Sequence, residues 1–354
     1  MSSDSQTTAG TGRIQEMLAA LEGARKEVLP STFWEYLSKK NTADLESLGY
    51  DNFKRTVALN YFTWVLKSDD EQMVFLKSKL PKLAVARDYI RALRAEKHEG
   101  TSSALVLDKQ GFTPEQSMTF NFLTYLIWDY ASRNDPRGVL TQLDEPAEGN
   151  PLRIFLGKKL ISQDLANSAL EFNTVMAGVD ESRIKTVLEL GAGYGRTAFV
   201  FKKMLPKARV IVVDIPPALY VCERYFINQF PGQKVFRFRN FKSYSEIAAE
   251  FEACDIAFFL PNQMELLPEK IVDLTLNISS LHEMRPDQIR YYFDSIERLT
   301  RGYFYFKQWK VSKLPDDVTI TEKDYPVRDA WRKVFWRECK VQTRFFEALY
   351  ECSK

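Results

Sequence analysis

The chain predicts an α/β protein with a mostly parallel sheet, preceded by a helical N-terminal region. Three observations carry that prediction. From about residue 184 onward, short apolar runs alternate with amphipathic stretches. One of those runs, Thr186 to Leu190, opens directly into Gly191, Gly193 and Gly195. Before residue 150, the periodic apolar residues keep helical rather than strand spacing.

Taken in order, the first twelve residues are rich in Ser, Thr and Gly and have no apolar core. They read as a disordered tail and not as a signal peptide. Residues 13–150 read as a helical N-terminal domain. Ile14, Met17, Leu18 and Leu21 share a helical face, and Thr56 to Leu66 and Leu83 to Leu93 repeat the pattern. Met118 to Tyr130 is apolar on nearly all sides, the mark of a buried helix. Its Phe120, Phe122, Tyr125, Trp128 and Tyr130 read as core rather than as an aromatic pocket. The Gly- and Pro-bearing stretch from Asp144 to Pro151 ends the helical pattern.

Residues 151–354 form the second predicted domain. A helix over Ser162 to Met176 leads into strands at 186–190, 208–213, 256–260, 273–279 and 302–307. Helices at 197–204, 217–227, 243–252 and 286–299 fall between them, the alternation expected of a parallel sheet. Lys234 to Arg239 reads as an extra edge strand, with Arg237 and Arg239 on a solvated face rather than on RNA. Val341 to Tyr350 closes the sheet in antiparallel fashion.

The 354 residues are 45% hydrophobic and 27% charged, with a formal net charge of +2. That balance gives no field to recommend nucleic acid or an anionic membrane as partner. No stretch is long and apolar enough to span a bilayer. Cys222, Cys254, Cys339 and Cys352 are scattered, with no C-x-x-C and no metal-ligand spacing. They read as reduced thiols of a cytoplasmic protein, and no metal is expected. Of the two histidines, His98 lies in a charged, solvated stretch, and His282 follows a predicted strand.

The glycine turn sets the chemistry. Only glycine lets the backbone turn so tightly and lets a ligand lie against it. Glu189 stands just before the turn, and Asp214 ends the next strand, about twenty residues after Gly191, where a carboxylate takes the hydroxyls of a ribose. The dinucleotide fingerprint wants its third glycine where Arg196 stands; here Gly195 comes one residue early. An acid beside the turn also suits a cation better than a pyrophosphate. S-adenosyl-L-methionine, a sulfonium nucleoside without phosphates, fits both features. The cofactor-binding set is then Glu189, Gly191, Ala192, Gly193, Gly195, Asp214 and Ile215. Asn262 or Gln263 either meets the adenine edge or forms a Pro-Asn turn. Ser279 joins the set from the end of the fourth strand.

That strand runs into Asn277-Ile-Ser-Ser-Leu-His-Glu-Met284. His282 falls where a methyl acceptor would approach the sulfonium. A histidine there suits a general base, since it titrates near neutrality. Glu283 would orient its ring or bind substrate. The competing reading is a structural histidine that caps the helix opened by Pro286. Lys307, Gln308 and Trp309 end the fifth strand and either touch the acceptor or only join the sheet to its last strand.

With these residues together, the chain resembles the bacterial sugar O-methyltransferase family, a branch of the class I S-adenosylmethionine-dependent enzymes. The resemblance includes Ser31-Thr-Phe-Trp-Glu-Tyr-Leu37, Gly49 to Val57 and Gln163 to Glu171. In the sheet region it includes Glu189 to Arg196, Val213 to Tyr220, Phe259 to Gln263 and Asn277 to Met284. It implies a class I methyltransferase Rossmann-like sheet of seven strands, the last antiparallel, with a helical N-terminal extension on the acceptor side. It implies cofactor contacts at Glu189, Gly191, Gly193 and Asp214, with the helix around Gln163 to Glu171 over the methionine end. The expected activity is methyl transfer to a hydroxyl of a small molecule, a sugar or natural-product intermediate, with His282 as base. N-methylation of an amino or guanidino group, and an inactive scaffold, stand as alternatives. The oligomeric state is left open, a homodimer being one option.

Overall fold

The computed structural model describes residues 3–58, 71–79, 114–314 and 317–352. His98, the helix expected at 83–93 and most of that expected at 56–66 lie outside the described residues. Contacts divide the chain into two compact units. One comprises residues 1–46, 175–339 and 344–354; the other comprises 47–174 and 340–343.

Helix α1 (Ser3–Ala19) belongs to the first unit, although its opening residues read as a disordered tail. The glycine content that suggested disorder serves close packing at Gly10. A Cβ there would lie 2.6 Å from the Tyr220 hydroxyl. Ile14 and Met17 are buried, and Arg13 donates to both carboxylate oxygens of buried Glu223 at 3.3 Å. The contact boundary therefore differs from the sequence partition at residue 150: the first 46 residues group with the sheet. Helix α2 (Thr32–Leu48) follows.

In the second unit, α3 (Glu71–Ser78), α4 (Pro114–Arg133) and α5 (Val139–Gln142) precede the hairpin β1 (Ile154–Leu156) and β2 (Lys159–Ile161). Leu123, Leu126, Ile127 and Trp128 of α4 are buried, as expected of a core helix. The turn from Gly49 to Val57 buries two cations. The Arg55 guanidinium donates to the carbonyls of Asn150 and Pro151 at 2.7 and 3.1 Å, and Lys54 pairs with Glu145. Both side chains order the 145–151 connection, so this resemblance-bearing string has an architectural task. Helix α6 (Gln163–Met176) leads back to the sheet.

The sheet uses β3 (Thr186–Leu190), β4 (Arg209–Val213), β5 (Val235–Phe236), β6 (Ile256–Phe259), β7 (Val272–Ile278), β8 (Thr300–Trp309), β11 (Arg332–Glu338) and β12 (Phe345–Glu351). Between β8 and β11 lies a small antiparallel pair, β9 (Val311–Lys313) and β10 (Thr319–Thr321). The sheet order is β11-β12-β8-β7-β3-β4-β6-β5. All pairings from β8 to β5 are parallel; β12 is antiparallel to both its neighbours. Helices α7 (Arg196–Met204), α8 (Ala218–Gln229), α9 (Ala248–Ala253) and α10 (Pro286–Leu299) connect the strands. Both faces are covered, as parallel sheets require. Leu188, Ile211 and Ala257 pack in one layer with Ile289, Phe293 and Ile296 of α10. Val187, Val210 and Phe258, on the opposite face, are equally buried. This is the mixed α/β, Rossmann-like sheet the sequence predicts.

The sheet differs from expectation at two strands. The one at Lys234 to Arg239 is paired only over Val235–Phe236. It stops because the Phe238 N–H is taken by Glu223 at 2.7 Å instead of by a neighbouring strand. Strand β11 adds an eighth member that the sequence reading did not include. Its Arg332, Lys333, Arg337 and Glu338 mark an edge kept charged toward water, while Trp336 stacks on Phe346 at 4.7 Å.

Candidate functional site

Parallel sheets of this topology bind ligands beyond the carboxyl ends of their strands. At that end, β3 enters the glycine turn, β4 ends in Asp214, and β7 ends in the segment carrying His282.

The three glycines all adopt positive φ, and each has a different neighbour. A Cβ on Gly191 would lie 2.1 Å from Ser280 Oγ, so this glycine admits the β7 end against the turn. A Cβ on Gly195 would meet Cys222 Sγ and the Phe226 ring, each at 2.6 Å, so this one seats α8 against α7. At Gly193 a Cβ would meet nothing within 4 Å. Its bare face is where a ligand can approach the backbone. The two positions should therefore fail differently. Gly195→Ala adds an overpacked contact to left-handed strain and should cost about 2 kcal/mol or more of stability. Gly193→Ala carries only the strain, about 1–2 kcal/mol, and should instead weaken a ligand that lies against this open face. Denaturant midpoints and calorimetric titration with S-adenosylhomocysteine read the two losses. Matching profiles for the two variants would contradict this division of roles.

Glu189 is 2% exposed, and its Oε2 accepts the Ala198 N–H at 2.7 Å. The carboxylate sits at the start of α7, where free amides and the helix dipole favour an anion. It fixes the helix that follows the turn. Asp214 is half-buried, with Oδ2 accepting the Gly193 N–H at 2.6 Å and Oδ1 the Ile215 N–H at 2.7 Å. Burial pushes its carboxyl up to about 7, and the negative charge of Glu283 adds to the rise; the two amides oppose it. The result is an acid held against the open glycine and poised near neutrality. Ala192 is buried, and Ile215 is half-buried. Burial pushes the Cys222 thiol well up, which suits packing and not nucleophilic chemistry.

After β6, the Gln263 side chain is fully engaged: Oε1 accepts the Leu260 N–H at 3.0 Å, and Nε2 donates to the Arg239 carbonyl at 2.8 Å. Asn262 Nδ2 donates to the Ala20 carbonyl at 2.9 Å, while its buried Oδ1 has no hydrogen-bond partner. Of the two residues weighed for the adenine edge, Asn262 alone keeps an unused polar atom.

At the β7 end, Ser279 holds φ 55°, unusual for a residue with a side chain, and its N–H donates to the Lys307 carbonyl at 2.8 Å. The left-handed step turns the chain into a short 3-10 segment, Leu281–Glu283. His282 is 1% exposed and stacks on Trp309, the ring centroids 4.9 Å apart. Phe345 meets it edge-on at 6.0 Å. Nδ1 lies 3.0 Å from Gln308 Oε1; Nε2 is buried without a hydrogen-bond partner, 3.6 Å from a Glu283 oxygen. Capping of α10 is carried out elsewhere, by Gln288 Oε1 accepting the Arg285 N–H at 3.1 Å. Lys307 is buried with its ammonium 5.6 Å from the Phe345 ring centre. In the second unit, Gln163 is also buried and donates to the Phe120 carbonyl at 3.4 Å.

Sequence reasoning missed Asn277, Gln308 and Glu223 as organisers. The signal was present: polar residues inside otherwise apolar strands and on a buried helix face must find partners. Among the described residues no group of acids, histidines or cysteines could hold a metal, and no helix is long and apolar enough to cross a membrane. All four cysteines are free and buried.

No protein-family model matches the chain, and no curated protein does. Several solved structures are similar to part of the chain. An S-adenosylmethionine-dependent methyltransferase from Clostridium acetobutylicum ATCC 824 is 12% identical, over 53% of this chain and 91% of that one, with a TM-score of 0.37. The Burkholderia thailandensis 1,6-didemethyltoxoflavin-N1-methyltransferase, solved with S-adenosylhomocysteine, is 18% identical over 65% of this chain and 88% of that one, with a TM-score of 0.37. The PH0226 protein from Pyrococcus horikoshii OT3 is 13% identical over 54% and 92%, with a TM-score of 0.39.

Proposed function

We propose that the protein is an S-adenosyl-L-methionine-dependent methyltransferase acting on a hydroxyl of a small molecule, such as a sugar or natural-product intermediate. One observation carries the cofactor assignment: the open face of Gly193 lies directly beside the Asp214 carboxylate, joined to it at 2.6 Å. A nucleoside needs both features, room against the backbone and an acceptor pair for ribose hydroxyls. The chain does not offer the third fingerprint glycine, since Arg196 stands in its place. That favours a cofactor without a pyrophosphate.

When bound, the cofactor supplies an electrophilic methyl on a sulfonium. The chain must place the acceptor in line and remove its proton. His282 Nε2 is the candidate base, since its buried lone-pair position has no competing partner. Glu283, half-buried at 3.6 Å, is placed to hold the imidazolium that results. The cofactor set of this reading is Glu189 through its hold on α7, Gly191, Ala192, Gly193, Gly195, Asp214, Ile215, Asn262 and Ser279. The protein would work in the cytoplasm. The resemblance to bacterial sugar O-methyltransferases supports a small-molecule acceptor.

Isothermal titration with S-adenosylhomocysteine is expected to give micromolar binding, and a panel of hydroxylated acceptors is expected to release S-adenosylhomocysteine from S-adenosylmethionine. A folded protein that binds no S-adenosylhomocysteine would remove the reading. Binding with turnover only on amines would move it to N-methylation, and binding with no turnover on any acceptor would favour a scaffold.

A further inference from the structure

Two buried amides stand between the glycine turn and His282. Asn277 and Gln308 are both 0% exposed. Backbone groups fix which end of each amide is which. Asn277 Nδ2 donates to the Leu190 carbonyl at 2.9 Å, and its Oδ1 accepts the Leu281 N–H at 3.2 Å. Gln308 Nε2 donates to the Asn277 carbonyl at 3.1 Å and to Asn277 Oδ1 at 2.6 Å. Its Oε1 accepts the His282 N–H at 3.1 Å. Neither amide can turn over without setting carbonyl against carbonyl or donor against donor.

Gln308 Oε1 is therefore an acceptor, and it lies 3.0 Å from His282 Nδ1. An acceptor facing a ring nitrogen at that distance requires the proton to be on the nitrogen. The Trp309 N–H also approaches Nδ1, at 3.5 Å, but a protonated nitrogen offers it no lone pair. The longer contact gives way. With the proton on Nδ1, the lone pair of the neutral ring is on Nε2, the one ring nitrogen without a hydrogen-bond partner.

We propose that Gln308 is the positioning residue that holds His282 in the Nδ1–H tautomer, with Asn277 locking Gln308 to the Leu190 carbonyl at the mouth of the cofactor turn. The inference deepens the proposed reading, in which Nε2 is the base. Of the two readings of Gln308, contact with the acceptor or a join to the last strand, it favours neither, because both ends of its amide are already engaged. The usual partner of a catalytic imidazole is a carboxylate, which raises its proton affinity. A neutral amide fixes the tautomer without placing a further charge on the Nδ1 side of the ring. The relay also ties the ring to the residue preceding Gly191, so the base and the cofactor turn share one rigid reference.

The test uses nitrogen NMR of the ligand-free protein labelled at histidine, read above the titration of the ring. The chain has only two histidines, so His98→Gln leaves a single imidazole to observe. Wild-type His282 should be more than nine-tenths Nδ1–H. Gln308→Met keeps the size and removes the acceptor, and should shift the ring to mainly Nε2–H, the form free imidazoles favour. Gln308→Glu restores an acceptor and should restore Nδ1–H, with the ring staying protonated to higher pH. Near-ultraviolet circular dichroism checks the fold of each variant. A wild-type ring found as Nε2–H overturns the proposal, as does a tautomer unmoved by Gln308→Met in folded protein. Because no acceptor is needed, a failure here is distinct from a failure of methyl transfer, which S-adenosylhomocysteine binding tests separately.

Discussion

Asp214→Ala is expected to weaken S-adenosylhomocysteine binding by a hundredfold or more while leaving the protein folded. The carboxylate would take two hydroxyl donors, and hydrogen bonds to a charged group contribute about 1.5–3 kcal/mol each. Loss of both gives the predicted factor at the low end of that range. The fold should survive, because the side chain staples only the Gly193 and Ile215 amides, and both can turn to water in the open site. The same residue predicts a pH dependence. Its carboxyl is pushed up to about 7, and hydroxyl donors require the ionised form. Affinity should rise with pH and level off above that value. Between pH 8 and pH 5.5 it should fall by up to roughly 30-fold, with proton release on binding at the acid end. Asp214→Asn should flatten the curve. For stability of the ligand-free protein the sign is opposite. A carboxyl with a folded value above its unfolded value of about 3.9 opposes folding increasingly as pH climbs through that interval, in full above about 7. Calorimetric titration across pH 5.5 to 8 checks the linkage, and an affinity that is flat in wild type would refute it.

His282→Asn should lower the rate of methyl transfer to a hydroxyl acceptor by about a hundred- to ten-thousandfold, the usual contribution of a positioned general base. Affinity for S-adenosylhomocysteine should stay within about twofold, since the ring makes no hydrogen bond to the glycine turn itself. A His282→Asn enzyme that turns over normally, or one that loses cofactor affinity in step with rate, would return the histidine to a structural role.

The parts of the fold that the sequence announced are those governed by local rules. Strand β3, the glycine turn and α7 follow from an apolar run meeting left-handed positions and an amphipathic stretch, and they lie where the pattern puts them. The antiparallel β12 was readable from its apolar residues for the same reason. Strand β11 was hidden because an edge strand carries charge that imitates a loop. The hairpin of β1 and β2 was hidden because three residues a side give too few alternations to count. At the site, residue types and spacing pointed to Asp214 and His282. They could not show that Glu189 holds α7 or that Gln308 faces inward, since both facts depend on which neighbours tertiary packing brings near. Burial of Lys54, Arg55 and Glu223 lay beyond reach for the same reason: a charged residue reads as solvated until its partner, tens or hundreds of residues away, is known.

The first helix has a practical meaning for anyone reshaping this protein. Glu223, 2% exposed, shares its carboxylate among Arg13, Arg237 and the Phe238 amide. Trimming the N-terminus as if it were packaging would take away one of three claims on that charge and uncover the Tyr220 side of α8 as well. The residues that look most expendable by composition are thus a fastening for the sheet unit, and a minimal version of that unit begins before Gly10, not at the first strand.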